Sequence, residues 1–105
     1  MPDIVIAAYR PKPGRDAALL EILRDHVPYL RREGLATARD SILGRAKDGT
    51  YVEVFEWQTG AIAKAHEDPG VRAMWQRFDE ACSHVALKDL AEAQGLFAEL
   101  APVAL

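Results

Sequence analysis

The stretch DGTYVEVFEW, residues 48–57, decides how this chain folds. Asp48-Gly49 is a dipeptide typical of tight hairpin turns, and the seven residues after Thr50 alternate two sets of side chains as a β-strand does. One face of that strand carries Val52, Val54 and Glu56, and the other carries Tyr51, Glu53, Phe55 and Trp57. The pattern predicts a β-hairpin over residues 39–46 and 50–58.

A strand and a helix are predicted before the hairpin. Residues 4–9, IVIAAY, form an apolar β-type run without polar alternation, which is typical of a strand covered on both faces. Residues 15–33 then carry one helical stripe, made of Leu20, Leu23, Val27 and Leu30. Pro28 predicts a bend near residues 24–28, and Gly34 is expected to end the helix.

A second helical region follows the hairpin. Thr59 is expected to cap a short helix over residues 61–66, and Asp68-Pro69 is a typical start of another helix. The apolar stripe of that second helix consists of Val71, Met74, Trp75, Phe78, Ala81 and Cys82. A weaker strand is predicted at 85–87, a turn or short helix at 91–95, and an extended segment at 96–103.

This order of elements, βαββαβ, predicts a ferredoxin-like α+β fold with a four-stranded antiparallel sheet and two helices on one face. All 105 residues form a single domain, in which 91–105 is a C-terminal extension packing on the sheet or on a partner. Because the first strand is apolar on both faces, the open sheet face is expected to be covered by a second copy, which predicts a homodimer.

Composition narrows the class of protein. A net charge of −3 argues against a nucleic-acid-binding surface, and no apolar run is long enough to predict a membrane span or a signal peptide. Cys82 is the single cysteine, so neither an intramolecular disulfide nor a cysteine-based zinc site is expected, and a reducing cytoplasm is the expected compartment.

Several motifs resemble the antibiotic-biosynthesis monooxygenase family. They are the segment 9–15 before a helix, the pair Glu56-Trp57, the pair Ala65-His66, and the helix after Pro69; together they span about residues 3–90. The resemblance implies that two protomers pack their sheets into a dimeric α+β barrel, each with a ligand cavity between its sheet and its helices. Some members of that family are cofactor-free oxygenases of quinols or anthrones, others degrade haem, and many have no known activity.

The amino-acid composition disfavours the haem-degrading branch of the family. Its members use an asparagine on the first strand, and this chain contains no asparagine. The three histidines lack the spacing of a metal site, and no glycine-rich nucleotide-binding motif is present. No cofactor and no metal site are therefore predicted, while haem binding through His66 or His84 without haem degradation stays open as an alternative.

Two histidines are the predicted catalytic residues. His66 lies four residues after Ile62 and matches the histidine of the family pattern, so it is a candidate base at a cavity rim; the alternative is a structural histidine at the break between helices. His26 lies at the edge of the first helix's stripe, next to Pro28, and its alternative is a border histidine without chemistry. His84 is expected only to cap a helix end.

Four further residues are predicted to bind substrate: Tyr9, Trp57, Trp75 and Glu56. The aromatic rings suit a flat ligand, although core packing or a dimer contact also explains both tryptophans, and a solvent-exposed hydroxyl also explains Tyr9. Glu56 lies on an apolar strand face and is expected to pair with Arg39, Arg45 or Arg72, unless it acts as a base.

Three functions remain open on this basis. The first is a cofactor-independent monooxygenase of a small aromatic or quinol substrate, in which the substrate itself donates an electron to dioxygen. The second is a dimeric, non-catalytic module for small ligands or stress. The third is a structural dimer whose cavity is filled by its own side chains.

Overall fold

The computed structural model describes residues 1–105 as a five-stranded antiparallel sheet with three helices. In chain order the elements are β1 (Asp3–Pro11), α1 (Asp16–Arg32), β2 (Ile42–Arg45), β3 (Tyr51–Trp57), α2 (Ala61–Glu67), α3 (Pro69–Ala81), β4 (Cys82–Val85) and β5 (Ala101–Pro102). Two short 3-10 helices, Leu87–Asp89 and Ala91–Gln94, lie between β4 and β5. The predicted α+β class is confirmed.

The strand order β4-β1-β3-β2-β5 corrects the expectation of four strands. The fifth strand comes from the C-terminal extension, where Pro102 lies opposite Gly44 at the free edge of β2. A glycine at that position allows the extension to approach closely, because a Cβ on Gly44 would stand 2.9 Å from the Cβ of Leu100. The central pair, β1 with β3, places Ala7 opposite Glu53 and Tyr9 opposite Tyr51.

Helix α1 follows the prediction within one residue at each end. It runs without interruption through Pro28. Gly34 follows its C-cap with a φ of +73°, a conformation that glycine adopts without steric cost, as predicted. The buried face includes Leu23, Val27 and Leu30 of the predicted stripe, whereas Leu20 is only partly buried. It is completed by three residues that were not in the stripe, Leu19, Ile22 and His26.

Two predictions for the elements after the hairpin differ from the structure. Gly60, with a φ of +71°, precedes α2 in place of the predicted Thr59 cap, and no side chain caps that end. Asp68 caps α3 as predicted, because its Oδ1 accepts hydrogen bonds from the backbone N–H of Gly70 at 2.8 Å and of Val71 at 3.2 Å. Strand β4 begins at Cys82, earlier than the predicted strand at 85–87, since Cys82 pairs with Pro11 instead of continuing the helix.

The sheet has two unlike faces. The inner face lies under α1 and α3 and holds most of the core. On the outer face, the C-terminal extension covers one end with a small cluster formed by Ala8, Ala46, Val52 and Leu90, against which Leu100 packs. The other end is open, and Ile4, Ile6 and Ile42 are exposed by 59%, 51% and 67%. No helix of the protein is both long and apolar enough to cross a membrane.

Candidate active site

A cavity of about 220 Å³ lies between the inner face of the sheet and the helices α1 and α3. Most of its walls are apolar or aromatic, which is typical of a site for small molecules. Three polar side chains reach it, from Tyr9, His26 and His84. The remaining lining residues are Val5, Ala7, Phe55, Trp57, Trp75 and Phe78.

A buried hydrogen-bonded network stands at one side of this cavity. Its centre is Glu53, whose side chain is fully buried. Tyr9 donates its hydroxyl proton to Glu53 Oε1 at 2.9 Å, and His26 Nδ1 lies 2.9 Å from Oε1 and 3.1 Å from Oε2. A buried carboxylate is tolerable only with such partners, and these two contacts satisfy it without an arginine or a lysine.

Three elements bring the network together. Glu53 and Tyr9 project from the inner face of two paired strands, and the register makes them diagonal neighbours. His26 comes from the buried face of α1, one turn after Ile22. Its ring packs edge-on against Phe55 and Phe78, with centroids 5.2 Å and 5.0 Å away. The imidazole is therefore fixed by hydrogen bonds at Nδ1 and by packing of its ring against two phenyl rings.

The second nitrogen of His26 faces the cavity. Every fully buried side-chain nitrogen and oxygen of the protein has a hydrogen-bond partner, whereas His26 forms hydrogen bonds through Nδ1 alone. Nε2 consequently retains contact with open space. The cavity is the open space that His26 lines. The arrangement can take a proton from, or give one to, a ligand bound there.

Tyr9 is a donor that does not ionise easily. Burial and the neighbouring Glu53 carboxylate both raise the pKa of the Tyr9 phenol far above its usual value of 10.0. The hydroxyl therefore stays protonated at neutral pH and continues to donate to Glu53. This corrects the alternative in which the Tyr9 hydroxyl lies in water.

The raised pKa of Tyr9 predicts a loss of stability in alkali. The native state keeps a proton that the unfolded chain releases above pH 10, so this stabilisation is complete below pH 10 and falls as the pH rises further. Between about pH 10 and pH 11 the free energy of unfolding should fall by up to about 1.4 kcal/mol from Tyr9 alone. Urea denaturation of the wild type and of Tyr9→Phe checks this: equal alkaline losses in both proteins would contradict it.

The structure brings four of the six predicted site residues to the cavity. Trp57 and Trp75 form aromatic walls, and Tyr9 and His26 supply polar atoms. The space between these residues is open. Core packing also involves Trp57, which is buried with its ring centroid 5.3 Å from that of Phe55.

The other two predicted residues lie elsewhere. His66 is exposed, its Nδ1 is 2.8 Å from the carbonyl oxygen of Ile62, and its ring packs against the edge of Trp75 outside the cavity. Glu56 points to the outer face, where it accepts a hydrogen bond from Thr37 at 2.8 Å and pairs with Arg39 at 3.3 Å. The expected ion pair of Glu56 is thus present, but neither residue reaches the cavity.

Sequence reasoning missed Glu53 and underrated His84. A signal for Glu53 was available: it is the one acid among the aromatic residues of its strand face, and a carboxylate there requires a buried partner. His84 lies opposite Tyr9 in the β1–β4 pair, so it faces the cavity, and its ring centroid is 5.3 Å from that of Tyr9. Its place depends on the early start of β4, which periodicity did not reveal.

Other features of the surface and core carry less chemistry. Grooves of about 390 Å³ beside Arg45 and Glu99 and about 360 Å³ beside Arg24 and Arg31 are larger, but charged side chains line them and no buried polar group points into them. Burial raises the pKa of the Cys82 thiol to about 11, so it stays protonated. No cluster of three histidine, cysteine or acidic side chains is placed to hold a metal ion.

Comparison with protein-family models, with curated proteins and with solved structures returned no match to this chain.

Proposed function

We propose that this protein is a cofactor-independent monooxygenase of a small, electron-rich phenol or quinol bound in the inner cavity. The observation that supports it is the unpartnered Nε2 of His26, backed by the Glu53 carboxylate and facing an aromatic-walled space. An imidazole in that position can remove a phenolic proton. His26 is the base in this proposal and His66 is not, because His66 lies outside the cavity.

The chemistry requires no reductant. Transfer of the phenolic proton to His26 gives an electron-rich phenolate, which passes one electron to dioxygen; the resulting radical pair combines to form a C–O bond at the para carbon. The peroxide anion takes the proton back from His26, which restores the neutral imidazole. The resulting hydroperoxide loses water together with the para C–H proton and leaves a quinone. One oxygen atom enters the product and the other leaves as water, so one phenol and one dioxygen give one quinone and one water.

The walls suit such a substrate. A cavity of about 150 Å³ can hold benzene, so a space of about 220 Å³ can accept a molecule of one or two rings. Trp57 and Trp75 line it with aromatic rings, against which a flat ligand can pack. Apolar walls also limit the water that would otherwise compete for the phenolate.

Oxygen consumption tests the proposal. With 1-naphthol in air, the wild type should consume one dioxygen for each 1,4-naphthoquinone formed. His26→Gln should lower the rate by about 10²-fold or more, because an amide can still donate to Glu53 but cannot accept the substrate proton. His66→Gln should retain the rate. Thermal melting of each variant shows whether it is folded.

Two outcomes would contradict the proposal. If naphthols and naphthohydroquinones bind without oxygen uptake, the protein is a ligand-binding module and the monooxygenase proposal is wrong. If His66→Gln abolishes turnover while His26→Gln retains it, the assignment of the base is wrong.

We also propose that the protein is a homodimer joined through the open end of the outer sheet face, in the reducing cytoplasm that its single cysteine favours. Ile6 and Ile42 both lie opposite Val54 in the sheet register, so these three side chains form one apolar row across three strands. Two of them are more than half exposed. A second copy offers the same row, and a two-fold axis lets each row cover the other.

Sedimentation equilibrium tests the dimer. At micromolar concentration the wild type should sediment as twice its 11.6 kDa chain, and Ile6→Glu should sediment as a monomer because a charge would be buried in the interface. Ile62→Glu is the matched control, since Ile62 is an exposed isoleucine on α2, away from the sheet. A monomeric wild type would rule out the dimer.

A further inference from the structure

The polar atoms around the cavity have fixed donor and acceptor roles. Tyr9 donates its hydroxyl proton to Glu53, so its oxygen can act towards a ligand only as a hydrogen-bond acceptor. His26 has committed Nδ1 to the same carboxylate. What His26 offers to the cavity is therefore decided by which of its nitrogens carries the proton.

The contact with Glu53 decides the position of that proton. Nδ1 is nearly equidistant from both carboxylate oxygens, at 2.9 Å and 3.1 Å, as expected of an N–H shared between two acceptor oxygens. If the proton were on Nε2 instead, the lone pair of Nδ1 would point at these oxygens inside the core, which is repulsive. The neutral imidazole consequently carries its proton on Nδ1 and exposes a bare Nε2.

We propose that Glu53 is a positioning residue that keeps Nε2 of His26 an acceptor and thereby makes the cavity a receptor for neutral aromatic hydrogen-bond donors. Un-ionised phenols are the chemical class that fits best. Their ethers lack the donor, and aromatic carboxylates bring a negative charge. This proposal rests on the same cavity as the proposed function, but it concerns binding and requires no turnover.

The surroundings of the site also disfavour anions. Glu53 places a negative charge within the network, and no lysine or arginine lines the cavity. The aromatic rings of Trp57, Trp75 and Phe78 that line it carry no positive charge. A carboxylate entering this space would lose its hydration without gaining a cation.

Three ligands with the same naphthalene ring and a different substituent at one position test the proposal: 1-naphthol, 1-methoxynaphthalene and 1-naphthoate, titrated by calorimetry without oxygen. The wild type should bind the naphthol about tenfold more tightly than the ether, which corresponds to one hydrogen bond, and should bind the naphthoate more weakly than either. In Glu53→Gln the ratio of the naphthol affinity to the ether affinity should fall towards one. The reason is that the glutamine amide can donate to Nδ1 of His26, so that the imidazole proton moves to Nε2 and this nitrogen is no longer an acceptor. Glu80→Gln, the same change at an exposed glutamate of α3, should keep the wild-type preference.

A measurement on the wild type does not depend on whether Glu53→Gln folds. The ¹⁵N chemical shifts of the His26 ring near pH 8 should show a protonated Nδ1 and an unprotonated Nε2. The reverse tautomer, an imidazolium, tighter binding of the naphthoate, or no binding of any of the three ligands would overturn the proposal. A protein that selects naphthol but consumes no oxygen would keep this inference and refute the monooxygenase.

Discussion

Replacing Phe78 by alanine should lower the free energy of unfolding by about 3–5 kcal/mol. Phe78 is about 1% exposed and lies where α3 crosses the inner face of the sheet. Its ring stacks on Tyr9 with centroids 4.8 Å apart and supports the His26 ring at 5.0 Å. Alanine would remove these contacts and leave a void, since the neighbouring strands cannot collapse into it. Urea denaturation measures the change.

Phe97→Ala is the matched control. Phe97 is 78% exposed in the C-terminal extension, so the same substitution there should change the free energy of unfolding by less than about 0.5 kcal/mol. Equal effects of the two variants would show that the cavity wall is not part of the folded core.

Replacing Glu53 by alanine should cost about 2–4 kcal/mol of stability. The change removes the acceptor of two buried donors, the Tyr9 hydroxyl and Nδ1–H of His26. A buried donor without a partner costs about 1–3 kcal/mol. Glu80→Ala, at an exposed position on α3, should stay within about 0.5 kcal/mol of the wild type.

A double mutant separates the network from simple packing. In Tyr9→Phe combined with Glu53→Ala, the tyrosine hydroxyl no longer needs a partner, so the combined loss should be smaller than the sum of the two single losses by about 1 kcal/mol. Additive losses would mean that the 2.9 Å contact between Tyr9 and Glu53 contributes nothing to stability.

Periodicity predicted the elements that depend on local sequence. The hairpin, α1 and α3 lie close to where alternation and helical stripes placed them, because each presents one apolar face to a common core. Helix ends were predictable where a side chain or a glycine acts locally, as at Asp68 and Gly34. Gly60 was not predicted in place of Thr59, since its left-handed conformation is imposed by the turn after β3.

Long-range pairing accounts for most of the errors. An extended segment was predicted over residues 96–103, but Ala101–Pro102 becomes the fifth strand only because the edge of β2 is free at Gly44. In the same way, Cys82 continues the apolar stripe of α3 but pairs with Pro11 in the sheet. Partners distant in sequence decide both cases.

The sequence by itself determined the α+β class, the amphipathic helices and an aromatic set of residues suited to a small ligand. It also contained the two polar residues at odds with their surroundings, Glu53 on an aromatic strand face and His26 on an apolar helix face. Only the tertiary structure decided that these two meet, with Tyr9 as the third member, and that Nε2 of His26 faces an open cavity while His66 does not. The physical reason is that a buried charge requires partners, whereas the identity of those partners depends on how a helix crosses a sheet, which no local pattern encodes.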